Sequence, residues 1–358
     1  MKLRTVIAIL VASFAASGQI RATNIILVTA DGLRWQELFG GIDPALMNEK
    51  AAGMDKAGLL RKKLWRDSPE ERRRALMPFF WDTLAPTGLV LGNVSRGSSV
   101  RVINAYRVSY PGYAEILTGR AQDQIIRGNA EIPNPTPTVL EFLREKLRLS
   151  RNQVALFGSW SVFRHIGEHK PGSIFINAGY QEAAGSPRML ELSALQFRAM
   201  SPWDTVRHDY VTLEMALEHL RTEKPRVMYI ALGETDDWAH DRRYDRTLQA
   251  AAYFDQALRQ IAAFIEETPE YRGRTALVIT SDHGRGSTLE DWHGHGPKVA
   301  GAEYIWLALF GPGIPPRGEV STSAQVFQRD IAPTLLDLLG IDYREYNGVE
   351  GTPLKSAP

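Results

Sequence analysis

Five short runs of apolar residues recur along the chain, and each is almost continuously hydrophobic. They are residues 24–29 (NIILVT), 153–157 (QVALF), 226–232 (RVMYIAL), 275–280 (TALVIT) and 305–310 (IWLALF). Runs of this kind are typical of strands that other elements cover on both faces, as in parallel sheets. The pattern therefore predicts a buried sheet at the centre of the fold.

Helical signals lie between these runs. Thr138 and Glu141 have the spacing of a capping box, which predicts the start of a helix. Further helices are predicted at about 209–221, 244–267 and 330–339, and the last of them should stop at Gly340. Because strands alternate with helices, we predict an α/β fold with a mostly parallel central sheet and helices on both faces.

Residues 41–85 interrupt this alternation. They include the charged stretch RKKLWRDSPEERRR, in which Ser68, Pro69 and Glu71 indicate a helix start. The favoured interpretation is a solvated helical insertion. The alternative is a lid whose arginines face an anionic substrate.

The N-terminus has the pattern of a secretory signal peptide over residues 1–22. Lys2 and Arg4 precede an apolar run from Val6 to Ala16, and small residues follow. Cleavage after Gly18 and cleavage after Ala22 both fit. The apolar run is too short for a stable membrane span, so we predict a secreted protein, periplasmic in a host with two membranes.

Composition narrows the chemistry. The 358 residues carry a formal net charge of +1, which gives no electrostatic reason to expect a nucleic-acid partner. The absence of cysteine excludes disulfides, sulfur-ligated zinc and a thiol nucleophile. Without repeats or long linkers, residues 23–345 are predicted to form one domain and residues 346–358 a C-terminal tail.

Acidic residues directly follow three of the predicted strands. Asp31 comes after the first run, Asp236 and Asp237 after the third, and Asp282 after the fourth. Ligands of open α/β sheets bind outside the carboxyl ends of the strands, where these residues should meet. His240 lies four positions after Asp236 and three after Asp237, so either acid could share a helix face with it.

The stretch SDHGRGSTLEDWHGHG, residues 281–296, holds three of the eight histidines in the chain. His283 is adjacent to Asp282, and either His293 or His295 can complete the set. With Asp31, Asp236 and His240 this makes six protein ligands, which suits two metal ions better than one tetrahedral site. Two ions about 3.5–4 Å apart form the usual clamp for phosphoryl transfer. Ligation by Asp and His favours zinc, with manganese as the alternative.

A nucleophile is offered by NAYRVSYPGYAEILTGR, residues 104–120. Ser109 precedes a Pro-Gly turn and a helical stretch, so it should lie at or near a helix N-terminus. That position favours a negatively charged oxygen and a phosphate. The alternative is that Ser109 only caps the helix.

The chain resembles the alkaline phosphatase superfamily, and most of all its nucleotide pyrophosphatase/phosphodiesterase branch. The resemblance rests on the order and spacing of ILVTADGLRW, SYPGYAEILTG, ETDDWAH, SDHG and HGPKVAGAEYIWLALFGPGI. It implies one zinc held by Asp31, Ser109, Asp282 and His283, and a second held by Asp236, His240 and His295. It also implies that Asn129 contacts a phosphoryl oxygen, and it leaves His293 as a neighbouring group.

These expectations define an exported two-metal hydrolase of small phosphate esters that acts through a phosphoserine intermediate. The resemblance favours a phosphodiesterase or pyrophosphatase; a phosphomonoesterase, a phosphonate hydrolase and a non-catalytic binding protein are the alternatives. A formylglycine sulfatase is disfavoured because Tyr113 stands where that motif requires arginine. A phosphoglycerate mutase is disfavoured because residues 130–225 leave too little chain for its cap domain.

Overall fold

The computed structural model describes residues 21–321 and 325–354, so the predicted signal peptide lies outside it except for Arg21 and Ala22. The strands are β1 Asn24–Ala30, β2 Gly88–Leu91, β3 Ser99–Arg101, β4 Val154–Gly158, β5 Phe175–Ala178, β6 Val227–Leu232, β7 Thr275–Thr280, β8 Tyr304–Ile305, β9 Leu307–Phe310, β10 Gly318–Glu319 and β11 Gln325–Phe327. The helices are α1 Trp35–Gly40, α2 Gly58–Leu64, α3 Pro69–Leu76, α4 Ser109–Thr118, α5 Val139–Lys146, α6 Phe163–Ile166, α7 Pro187–Arg198, α8 Asp209–Glu223, α9 Glu234–His240, α10 Tyr244–Glu267 and α11 Ile331–Leu338. Of the helices in the described ranges, none combines the length and apolarity needed to cross a membrane.

An eight-stranded sheet forms the centre of the molecule, in the order β10-β2-β9-β7-β1-β6-β4-β5. β1 lies between β6 and β7 and is parallel to both, and β4 and β5 continue the parallel arrangement. β9 runs antiparallel to β7 and to β2. A separate three-stranded sheet has the order β11-β3-β8. The prediction of a mostly parallel central sheet is confirmed.

The side chains of β1 pack into two hydrophobic cores, one on each face of the sheet. Ile26 and Val28 pack into one core, whereas Ile25 and Leu27 pack into the other. Every residue of β1 is buried. Burial on both faces explains why the predicted strands are continuously apolar instead of alternating.

The predicted strand at residues 305–310 differs from the structure in two respects. It is divided at Trp306 into β8 and β9, which belong to different sheets, and β9 is antiparallel to its neighbours. The Trp306 side chain is fully buried, and its ring N–H donates to the Leu33 carbonyl at 2.9 Å. An apolar run predicts burial, but it carries no information about strand direction.

The insertion at residues 41–85 packs against the body of the protein. Its helix α3 begins with the predicted capping box, in which Ser68 and Glu71 bond each other's backbone N–H. The Arg72 guanidinium lies 5.0 Å from the Trp65 ring centre. That of Arg73 lies 3.6 Å from the Trp81 ring centre and 2.7 Å from a Glu319 carboxylate oxygen. These contacts favour a packed insertion over an arginine-bearing lid.

Both ends of the described chain are attached to the fold. The Ala22 N–H donates to the Leu338 carbonyl at 3.1 Å. The segment predicted as a C-terminal tail is packed as far as it is described: the Tyr346 hydroxyl donates to the Pro137 carbonyl at 2.7 Å, and the Thr352 N–H donates to Asp330 at 3.0 Å.

Candidate metal centre

The carboxyl ends of three neighbouring strands bring the predicted acids together. Asp31 follows β1, Asp282 follows β7, and Asp236 lies in the first turn of α9, directly after β6. Because β6 and β7 flank β1 in parallel, all three side chains reach the same edge of the sheet.

His283 lies at the centre of the first group of candidate ligands, Asp31, Asp236 and His283, whose ligand atoms lie within 4.8 Å of one another. Its Nε2 is 3.4 Å from Asp31 Oδ1, 3.4 Å from Asp282 Oδ2 and 3.7 Å from Asp236 Oδ1. The structure therefore places Asp282 beside this group, as predicted for the first ion.

The hydrogen bonds of this group indicate a need for a cation. His283 Nδ1 lies 3.0 Å from the Gly284 carbonyl, so Nδ1 carries a proton and donates it. In a neutral ring, the Nε2 lone pair then faces carboxylate oxygens. Asp31 Oδ1 and Asp282 Oδ2 are buried and accept no hydrogen bond. Burial raises the pKa of Asp282 well above its usual range, and the Asp31 charge adds to the effect.

Either a proton on His283 or a metal ion can satisfy these carboxylate oxygens. Burial works against a charged His283, but the Asp282 and Asp31 carboxylates outweigh it and raise the pKa of His283 to about 9. A divalent cation would satisfy the same oxygens and the Nε2 lone pair together, and this donor set is one that zinc accepts. The residues of the first group therefore fit a metal ion.

The second group consists of Asp236, His240 and His295. His240 Nε2 lies 3.2 Å from Asp236 Oδ2 and 3.0 Å from His295 Nε2. Burial lowers the pKa of His240 and of His295, and a positive charge on His283 lowers both further. Neutral imidazoles keep their lone pairs for a metal. Of the two acids that could share a helix face with His240, the structure places Asp236 beside it.

Asp236 belongs to both groups. Its Oδ2 faces His240, whereas its Oδ1 faces His283. The predicted division had assigned Asp236 to the second ion alone. The two groups are thus neighbours that share one carboxylate.

Ser109 is the first residue of α4, and Val108 occupies the N-cap position without a side-chain capping bond. Ser109 Oγ lies 3.4 Å from His283 Nε2, so the hydroxyl faces the first group instead of capping the helix. A Cβ atom at Gly112 would lie 2.3 Å from the Asp282 carbonyl oxygen. Glycine at this position therefore allows α4 to pack directly on the Asp282 loop.

Asn129 is exposed and lies beside the N-terminus of α4. Its Oδ1 accepts the Tyr110 N–H at 2.9 Å. This bond fixes the orientation of the amide, because only its oxygen can accept. Asn129 Nδ2 is left as the donor end of the side chain, next to the residue that follows Ser109.

The two histidines that sequence reasoning left open are separated by the structure. His295 contributes to the second group, whereas the His293 side chain belongs to neither group of candidate ligands found in the described residues. The His293 backbone carbonyl instead accepts a hydrogen bond from Arg285.

Arg285 is a central residue of the site that sequence analysis missed. Its guanidinium is buried and donates to the Gly32 carbonyl at 3.2 Å, to the Asp236 carbonyl at 3.2 Å and to Asp236 Oδ1. With its bond to His293, it joins the three loops that carry the candidate ligands. Burial lowers the pKa of Arg285 to about 9. An arginine between two glycines is typical of a solvent-exposed loop. The sequence therefore did not indicate that Arg285 is buried within the site.

Replacing this arginine tests its contribution to the site. We expect Arg285→Met to destabilise the metal-free protein by about 3 kcal/mol, because Asp236 loses its buried partner. Added zinc should reduce the deficit, since a bound cation would compensate the same carboxylate. Urea unfolding with and without zinc measures both effects, with Arg274→Met as a control outside the site. An equal deficit under the two conditions would contradict a link between Arg285 and the ligands.

Comparison with known protein families gives one match over part of the chain. Residues 205–343 match the model of the Metalloenzyme superfamily. A stretch of 132 residues is 26% identical to a protein named 2,3-bisphosphoglycerate-independent phosphoglycerate mutase 2 from Methanosarcina acetivorans. This stretch is 37% of the present chain and only 24% of the mutase.

Several solved structures share the fold over nearly the whole chain. A protein in the alkaline phosphatase superfamily from Vibrio parahaemolyticus has a TM-score of 0.55 at 15% identity, covering 94% of this chain and 72% of that one. The phosphonate monoester hydrolase SpPMH from Silicibacter pomeroyi has a TM-score of 0.53 at 16% identity, covering 93% and 76%. BT1596, a 2-O GAG sulfatase, has a TM-score of 0.55 at 14% identity, covering 93% and 73%. At these identities the similarity is one of fold.

Proposed function

We propose that this chain is a member of the alkaline phosphatase superfamily and a two-metal hydrolase of small phosphate esters; its fold and the match of residues 205–343 to the Metalloenzyme superfamily support this proposal. The observation that carries the proposal is the position of Ser109 Oγ, 3.4 Å from His283 Nε2 at the start of a helix. A hydroxyl is thereby held against a group of buried, unsatisfied ligand atoms. The signal-peptide pattern of residues 1–22 supports export.

The residues of the site can carry out a double-displacement reaction. Ser109 Oγ loses its proton and attacks phosphorus, the bond to the leaving group breaks as the departing oxygen takes up a proton, and phosphoserine forms, which keeps the second ester group when the substrate is a diester. Water then attacks the phosphoserine from the side of Asp236, His240 and His295, and breaking the Oγ–P bond restores Ser109. Asn129 Nδ2 and the Ser109 backbone N–H at the start of α4 can donate to the phosphoryl oxygens in both steps.

Metal ions complete this chemistry when they are bound. Asp31, Asp282, His283 and Ser109 would hold one ion, and Asp236, His240 and His295 would hold the other, with zinc proposed first and manganese as the alternative. Such ions lower the pKa of a bound hydroxyl and offset charge on phosphoryl oxygens. Asp236 can contribute to either ion because its Oδ2 faces His240, whereas its Oδ1 lies 3.7 Å from His283 Nε2 and 3.9 Å from His295 Nε2.

We propose a phosphodiester or pyrophosphate as the preferred substrate class, on the resemblance of the sequence motifs to that branch of the superfamily. A phosphomonoester is the main alternative. A phosphonate ester is a further alternative, favoured by the shared fold with a phosphonate monoester hydrolase.

Sulfate ester hydrolysis is a less favoured function, although sulfatases share the fold. Tyr113 occupies the position at which the formylglycine motif requires arginine. It is fully buried in α4, and its ring packs against Phe163 at a centroid distance of 4.6 Å. A neutral buried phenol cannot replace the charge of an arginine.

Mutase activity is also disfavoured, although one matching curated relative is named a mutase and is covered over 24% of its length. The interval from residue 130 to residue 225, where a cap domain would be expected, instead contains β4 and β5 of the central sheet. The helices of this interval, α5 to α8, include α8, which packs against β4 and β6. The residues of this interval therefore form part of the central sheet and of the helices around it instead of a cap domain.

The zinc-loaded protein should hydrolyse bis-p-nitrophenyl phosphate with a higher kcat/KM than p-nitrophenyl phosphate, and a chelator should abolish both activities. p-Nitrophenyl sulfate serves as the comparison for sulfatase activity. A clear monoester preference would overturn the substrate class but keep the reaction type. An absence of turnover with every ester would favour a non-catalytic binding protein.

A further inference from the structure

The orientation of His295 depends on one backbone carbonyl. His295 Nδ1 lies 3.1 Å from the Arg107 carbonyl oxygen, so Nδ1 carries the proton and Nε2 is left for the second group. The His295 ring also stacks on His283, with ring centroids 3.9 Å apart. The stack confines the plane of the ring, whereas the carbonyl determines which nitrogen faces the ligands.

Arg107 presents this carbonyl from an unusual backbone conformation. Its φ of +50° lies in the left-handed region, which residues other than glycine and asparagine rarely adopt. Such strain persists only where surrounding contacts enforce it. Here the Arg107 N–H donates to Asn104 Oδ1 at 2.8 Å.

Asn104 is in turn held by Glu115, and both side chains are buried. Glu115 Oε2 accepts the Asn104 backbone N–H and the Asn104 Nδ2–H, each at 2.9 Å. The Ile103 N–H donates to the same carboxylate at 3.2 Å. Because Nδ2 is bound to Glu115, the Asn104 amide must direct its oxygen toward Arg107.

Glu115 lies in α4, the helix that begins with Ser109. We propose that Glu115 is a positioning residue for His295: through Asn104 and the Arg107 carbonyl, it fixes the imidazole that completes the second group of ligands. Helix α4, which carries the proposed nucleophile, therefore also orients His295, a ligand of the second ion. This inference rests on the proposed function, since it assigns a use to the second group.

Two pairs of variants distinguish a role in positioning His295 from a general contribution to the stability of the loop that contains Arg107. Arg107→Val and Arg107→Asn both remove the guanidinium, but only valine resists a positive φ, whereas asparagine tolerates it. Glu115→Gln keeps the size of the side chain but leaves one acceptor oxygen where the carboxylate offered two. Its matched control is Glu145→Gln, an exposed position in α5.

Equilibrium dialysis with zinc, together with thermal unfolding, gives the test. We expect wild type to bind two ions, and Arg107→Val and Glu115→Gln to bind one of them at least ~10-fold more weakly and the other normally. Arg107→Asn and Glu145→Gln should bind as wild type does. If Glu115→Gln fails to fold, the two Arg107 variants decide the question.

Other outcomes overturn the inference. If Arg107→Val and Glu115→Gln keep wild-type affinity at both sites, or lose both sites equally with a fall in Tm, Glu115 is not a positioning residue. If wild type binds no zinc, the proposed function itself fails. The two failures are distinguished by the behaviour of the wild-type protein.

Discussion

Ser109→Ala should lower kcat for the preferred phosphate ester by a factor of ~10³ or more, because the reaction loses its nucleophile. The hydroxyl contributes one ligand atom at most to the first ion, and Asp31, Asp282 and His283 remain. Zinc binding should therefore stay close to that of wild type. The variant would separate loss of chemistry from loss of the metal site.

Steady-state kinetics and equilibrium dialysis on the same preparations measure the two effects. Ser173→Ala, which removes a hydroxyl bonded to the Lys170 carbonyl away from the site, is a suitable control. Trapping of labelled phosphate on wild type but not on Ser109→Ala would identify the intermediate. Wild-type turnover in Ser109→Ala would show that water attacks the ester directly.

Asp236→Asn should have the second large effect, because Asp236 contributes a ligand atom to both groups. The substitution keeps the shape of the side chain but removes the charge that faces His240 and His283. It also leaves the buried Arg285 guanidinium without its carboxylate. We expect weaker zinc binding at both sites and a fall in kcat/KM of about 10³-fold.

Two further variants make this prediction specific. Asp237→Asn changes the adjacent acid, which is in neither group of candidate ligands found in the described residues, and it should retain both ions. Asp31→Asn changes an acid of the first group alone and should weaken one ion. If Asp236→Asn weakens one ion only, the carboxylate is not shared in solution, and the division implied by the sequence resemblance is the correct one.

The position of the site could be predicted from sequence because it follows from strand order. Asp31, Asp236 and Asp282 each come directly after a buried strand, and parallel strands end at one edge of a sheet. The spacing of Asp236 and His240 then fits one face of a helix, as α9 shows. The metal-binding and catalytic roles of these residues remain predictions until they are tested.

Other features had no local signal. Arg285 reads as a loop residue among glycines, and only the tertiary structure surrounds it with carbonyl oxygens and Asp236. The left-handed backbone at Arg107 is enforced by Asn104, so propensity alone does not indicate it. β9 differs from the other apolar runs in direction and not in composition. Each of these three features is determined by contacts in the folded protein, and neither composition nor hydrophobic pattern indicates such contacts.

The central position of β1 has a consequence for how the protein acquires its structure. Asn24 and its hydrogen-bonded neighbour Thr275 are 251 positions apart in the chain. Contacts of such long range form slowly and require most of the polypeptide to be present. β1 must therefore wait until β7, Thr275–Thr280, has been synthesised before it can pair on both sides. Because Asp31 meets Asp236 and His283 only through that pairing, metal affinity should arise late in folding.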